Sequence, residues 1–302
     1  MSYAATQRII VRMLYDAAFR QSIYDAPYAA LAGIDLTPEE RAALVQPDLR
    51  AYGTDPYRRS RALHGLLEEY PVSAWLAGRA LGDVHQLDAF FSSPFFHECI
   101  QQRGSLAQSF GAYLDRRSCS GEVHDTRVTW TAALEGAIAA LRRRRIPPAA
   151  PPDAMGGLGG PSPDAAATET MLFDLSARHA IVTVAGGTAE LYQEVRIHLA
   201  SLGSDVVEAL MVDDAAQLPP ARTHLQVDDA EALLLERSRD PGGDVTIEAA
   251  HAGLAALLAM AAHGATAQAL WTEATHHGAT AVEARDIVAE LVTDGLLVQR
   301  AG

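Results

Sequence analysis

Apolar positions recur at three- and four-residue spacing through nearly all of the first 117 residues, the period of helices that bury one face. Residues 6–24 set Ile9, Ile10, Met13, Leu14 and Phe19 toward one side, which predicts a single amphipathic helix. Thr37, Pro38 and Glu40 form a start signal: a threonine N-cap, proline at the first helical position and a glutamate that closes a capping box. The helix it opens is expected to reach Leu49. Arg58, Arg59 and Arg61 lead a further helix whose Leu63, Leu66, Leu67 and Tyr70 share a face. Pro71 is expected to end it, leaving a short amphipathic turn with Trp75 and Leu76, closed by Gly78. Helices over about 84–91 (stopped at Ser92-Ser93-Pro94), 106–114 and 123–145 complete the first half.

The pattern then breaks. Residues 146–170 hold six prolines and four glycines without periodicity, the composition of a flexible or extended linker. Beyond it, strand-like runs at 181–185 and 206–212 flank a helix over about 189–202. Short β segments follow at 224–227, 232–236 and 245–248, and Pro241-Gly242-Gly243-Asp244 joins the last two as a hairpin. Three helices come next, over about 253–262, 266–276 and 280–293. The first stops at His263-Gly264, and the third opens on a capping box of Thr280 and Glu283. Leu296-Leu297-Val298 is a closing strand. Strands, three short helices and a strand make a winged-helix-like module. The expected fold class is therefore α+β: an all-helical N-terminal domain over 1–145, a Pro/Gly-rich linker over 146–170, and an α+β domain over 171–302 with a winged-helix-like end.

Charge narrows the class of partners. Every basic residue is an arginine; residues 1–145 balance to +1 (17 Arg, 16 acids), and residues 146–302 to −15 (7 Arg, 22 acids). So acidic a second half repels phosphate backbones, which argues against nucleic acid. The run Arg142–Arg145 is better placed as cations at a helix C-terminus than as a nucleic-acid patch. No apolar run has the length of a membrane span and no signal-peptide pattern opens the chain, so a soluble cytoplasmic protein is expected.

Catalytic signatures are weak. Gly156-Gly157-Leu158-Gly159-Gly160 follows no strand and precedes no lysine, and Gly186-Gly187-Thr188 lacks the third glycine and the lysine of a phosphate loop. His251, His263, His276 and His277 fit no common zinc spacing, and Cys99 and Cys119 form no metal pair. No Gly-x-Ser-x-Gly elbow occurs. Asp213-Asp214 and Asp228-Asp229 read as solvated turns, and Trp75 and Trp271 as core residues or interface anchors.

The stretch LYDAAFRQSIYDAPYAALAGIDLTPEERAAL, the Arg-rich helix with EEYPVSAWLAG, and FFSSPFF with FGAYL resemble the helical domain of partner subunits of multinuclear non-heme iron-dependent oxidative enzymes. The C-terminal ALLLERS, VTIEAAHAGLAALLAMAAHGATAQAL and ARDIVAELVTDGLL are similar to the second domain of such partners, a winged helix like the recognition elements for ribosomally made, post-translationally modified peptides. The resemblance implies a non-catalytic subunit with no cofactor of its own. It would bind a precursor peptide and dock on a TIM-barrel iron enzyme, whose iron performs the oxidation in natural-product biosynthesis. A short disordered leader is best held by adding a strand to a sheet edge. That makes Leu225, Val227, Leu233, Leu235 and Thr246, with Trp271 as an anchor, the candidate peptide-binding residues. Arg58, Arg59, Arg61, Tyr70 and Trp75 are the candidates for docking the enzyme, since interfaces favour arginine and aromatic anchors. Two other classes remain open: a transcription regulator with a degenerate winged helix, and a stand-alone enzyme with an unrecognised site.

Overall fold

A computed structural model describes residues 3–55, 57–146, 171–203, 207–208, 225–240 and 243–300. The expected linker lies outside these residues except for Ile146, and so does most of the strand expected over 206–212, of which Val207 and Glu208 are helical. The fold is α+β, mostly helical, with two small three-stranded antiparallel sheets. It divides into two compact units, one of residues 1–136 with 191–222 and one of residues 137–190 with 223–302.

The first unit is built from helices. α1 (Tyr3–Tyr15) and α2 (Ala17–Asp25) replace the single helix expected over 6–24. Asp16 breaks it: its extended backbone lets the carboxylate accept from the Phe19 N–H at 2.9 Å, so the residue caps α2 instead of continuing α1. α3 (Pro27–Ala30) follows, and α4 (Pro38–Val45) opens on the expected capping box. A 3₁₀ turn over Leu49–Gly53 leads to α5 (Arg58–Glu69). Pro71 ends α5, yet it also starts an eleven-residue helix, α6 (Pro71–Leu81), where a short turn was expected. Proline suits a first helical position because its missing N–H would lack an intrahelical partner anyway. Gly78 continues α6 rather than closing it, and a Cβ there would stand 3.1 Å from Val84; the stop is Gly82, at φ 81°.

A 3₁₀ segment over Val84–Ser92 precedes α7 (Pro94–Gln102), α8 (Leu106–Cys119) and α9 (Arg127–Arg143). The aromatic core of this unit places Phe90 5.2 Å from Phe110 and 5.7 Å from Phe96, both edge-on, with Tyr70 5.6 Å from Phe110. Such edge-to-face contacts align ring edges with ring faces and add to the gain from burial alone. Gly111 is required here, because a Cβ would meet the Tyr70 hydroxyl at 2.7 Å.

The second unit contains both sheets. β1 (Leu172–Leu175) lies between β5 (Ala265–Thr266) and β6 (Leu297–Gln299). β2 (His179–Gly186) is followed by α10 (Thr188–Leu202) and pairs with β3 (Gln226–Arg237), which pairs in turn with β4 (Val245–Ala250). Three helices, α11 (Ala252–Ala261), α12 (Ala267–His276) and α13 (Ala281–Thr293), follow the expected order and close on β6. Their core gathers Phe173, Leu257, Leu258, Leu270, Val288 and Leu297, with Ile181 and Leu234 of the second sheet against it.

Candidate functional site

β3 is one long strand where two short ones were expected. Asp228-Asp229 is carried inside the strand rather than at its end, in an exposed stretch where the register with β2 shifts between Ala185↔Ala230 and Gly186↔Gln226. β3 is also central: Leu233 faces Val182 on β2 and Ala249 on β4, and Leu235 faces Ala180 and Ile247. Leu233 and Leu235 are fully buried, so neither presents an edge or a pocket-filling side chain. Val227 is 56% exposed, and Leu225 stands just before the strand.

Among the described residues β4 pairs only with β3, leaving its outer side open. Thr246 is exposed on it, and so is Glu248. The other edge strand of this sheet, β2, also pairs only with β3 among the described residues, and Arg144 donates to its His179 carbonyl at 2.7 Å. β4 runs directly into His251. The His251 Nδ1 accepts from the Gly253 N–H at 3.3 Å and caps α11. His277 lies 3.2 Å from Glu273. Those histidines cap and brace helices, and no group of three or more His, Cys, Asp or Glu among the described residues is arranged to hold a metal. Trp271 is partly buried with the Arg285 guanidinium 5.1 Å over its ring, and its enclosed Nε1 has no hydrogen-bond partner among the described residues.

The docking candidates in the helical unit are mostly inward. Tyr70 is fully buried and Trp75 8% exposed, with Arg79 5.0 Å over its ring, so both are core residues and neither is a surface anchor. Arg59 donates to Asp88 Oδ1 at 2.9 Å, to the Asp88 carbonyl at 2.6 Å and to the Tyr15 carbonyl at 3.1 Å. Arg58 reaches the carbonyls of Leu14 and Tyr52, and Arg61 pairs with Asp55 while remaining largely exposed. Of the five, Arg61 alone presents most of its side chain to solvent.

Two polar groupings in the same unit carry no motif. Glu135 of α9 is fully buried and accepts from the N–H groups of Val72 (2.8 Å) and Ser73 (3.0 Å) and from the Ser73 hydroxyl. It thereby caps α6 from a helix about sixty residues away in sequence. Burial pushes its carboxyl up to about 7, against the pull of the Ser73 and Val72 donors and the charge of Arg196. Separately, a cavity of about 370 Å³ is lined by Arg8, Arg12, Phe19, Asp35, His97 and Ile100, among others. The Arg12 guanidinium lies 3.7 Å over the Phe19 ring, and its Nε is 3.6 Å from Asp16. The His97 Nε2 is 3.3 Å from the same carboxylate. Desolvation and then the charge of Arg12 hold His97 below its ordinary value, with Asp16 opposing them. Arg8 and Arg12 share a face of α1 by their four-residue spacing, while Asp35 and His97 are brought to them only by the fold. No helix among the described residues is long and apolar enough to cross a membrane. Compared with known protein families, characterised proteins and solved structures, the chain matches none.

Proposed function

We propose that the chain is a non-catalytic partner that binds the leader of a ribosomally made precursor peptide and delivers it, in the cytoplasm, to a multinuclear iron-dependent oxidative enzyme. The observation that carries this reading is the open outer edge of β4, in the sheet whose Ile181 and Leu234 pack against the three-helix core of α11 to α13. An extended peptide laid along such an edge gains main-chain hydrogen bonds without needing a fold of its own, while an uncovered edge is otherwise an aggregation hazard. The order of three helices and a strand after the hairpin is that of a winged-helix-like recognition element, and the sequence likeness supplies the class of enzyme. In this reading iron and oxygen chemistry belong to the enzyme. This chain binds, orients and hands over the peptide. The −15 balance of residues 146–302 favours leaders with basic residues and makes their association faster at low salt.

Co-expression with the iron enzyme tests the assignment. The two chains are expected to co-purify, with the iron travelling with the enzyme. Stoichiometric, tightly held iron on this chain expressed alone, or separate elution of the two proteins, would overturn it.

A further inference from the structure

The cavity between α1 and α7 is a built site that the peptide-binding role does not use. Its floor is polar and already ordered. Asp16 is 4% exposed, caps α2, and lies within 3.6 Å of Arg12 Nε and 3.3 Å of His97 Nε2. Both nitrogens are enclosed and turned to that one carboxylate, which leaves the other nitrogens of the Arg12 guanidinium as the donors a ligand could use. The Arg12 guanidinium is fixed over Phe19, and Arg8 spends one N–H on the Gln101 carbonyl at 3.0 Å, which leaves it further donors. Ile9, Ile34 and Ile100 supply apolar wall. At about 370 Å³ the cavity falls in the size range of small-molecule sites, roughly 300–1,000 Å³.

We infer that this cavity binds a small monocarboxylate with an apolar tail, its carboxylate received by Arg8 and Arg12 and its tail set against Phe19 and Ile100. Guanidinium groups match a carboxylate in geometry as well as charge. The charges present select for one negative charge rather than two: Asp16 lies behind Arg12, and the exposed Asp35 stands at the rim, so a phosphate dianion would meet two carboxylates as well as two arginines. A free acid and the C-terminus of a peptide share the required chemistry.

Calorimetric titration of the full chain with acetyl-leucine, acetyl-leucinamide, a tripeptide ending in leucine, and inorganic phosphate tests the inference. Acetyl-leucine is expected to bind at least about tenfold more tightly than its amide and than phosphate, because only it offers a single carboxylate to the arginine pair. Equal binding of the tripeptide identifies a chain end as the ligand source, and its exclusion identifies a free acid; either supports the carboxylate site. Arg12→Gln is expected to weaken acetyl-leucine by about tenfold or more. Arg8→Gln, at a half-buried position whose guanidinium reaches the Gln101 carbonyl, is expected to weaken it in the same direction and keeps the test open if Arg12→Gln misfolds. Equal affinity for acid and amide, no binding of any probe at millimolar concentration, or unaltered binding by a folded Arg8→Gln protein would overturn the proposal.

Discussion

Replacing Glu135 with alanine is expected to lower the free energy of unfolding by about 3 kcal/mol, from three donors that lose their acceptor at about 1 kcal/mol each. The Val72 and Ser73 N–H groups sit at the start of α6 inside the core, where water cannot replace the carboxylate. Glu135→Gln keeps the volume but turns an amide NH₂ toward one of those donors, so a smaller loss of about 1–2 kcal/mol is expected. The same residue carries a pH dependence. Its folded-state carboxyl titrates near 7, against an ordinary value of 4.5. Between those values the folded protein holds a proton that the unfolded chain has released, so stability falls as pH rises. The stabilisation is fully present below about 4.5 and gone above about 7, a change on the order of 3 kcal/mol. Urea denaturation of the parent and Glu135→Gln across that window checks both parts, because the glutamine protein should lose this component of the slope. An unchanged slope would show that Glu135 is already ionised in the folded protein.

Arg59→Ala is expected to cost about 2 kcal/mol, and Arg61→Ala less than about 0.5 kcal/mol. Arg59 fastens α5 to Asp88 through side chain and carbonyl and to the end of α1 through Tyr15, and its guanidinium lies 5.5 Å over Phe91. Arg61 pairs with Asp55 in solvent, where screening and side-chain entropy consume most of the gain. Denaturation midpoints separate the two. Should Arg61→Ala leave stability intact and weaken co-purification with the iron enzyme, the docking role belongs to Arg61, and Arg59 is a brace of the helical core. Equal destabilisation by both substitutions would contradict the assigned contacts.

Local signals read well along this chain. The capping boxes at Thr37/Glu40 and Thr280/Glu283 mark true helix starts, and the bounds of α11 to α13 fall within about two residues of those expected from periodicity and glycine stops. The misses came where a distant residue decides. Pro71 reads as a stop until Glu135 arrives from α9 to cap α6, and Asp16 sits in an unbroken helical period until its side chain turns to the Phe19 N–H. Leu233-Leu234-Leu235 has the apolar run of any buried strand; that it is flanked on both sides depends on pairing, which periodicity does not encode. Tyr70 and Trp75 show the same limit, since aromatic residues suit cores and interfaces equally until burial is known. For the cavity, the four-residue spacing of Arg8 and Arg12 signals a shared helix face, while nothing in the sequence brings His97 to it.

The central claim is that a precursor peptide adds to the outer edge of β4. Hydrogen–deuterium exchange of the full chain with and without its precursor peptide measures this most directly, because strand addition buries amides that now face solvent. The account predicts slower exchange across Val245–Ala250, with Ala232–Arg237 of β3, already paired on both sides, changing little. Binding of the peptide with unchanged exchange in β4 and protection elsewhere would contradict it.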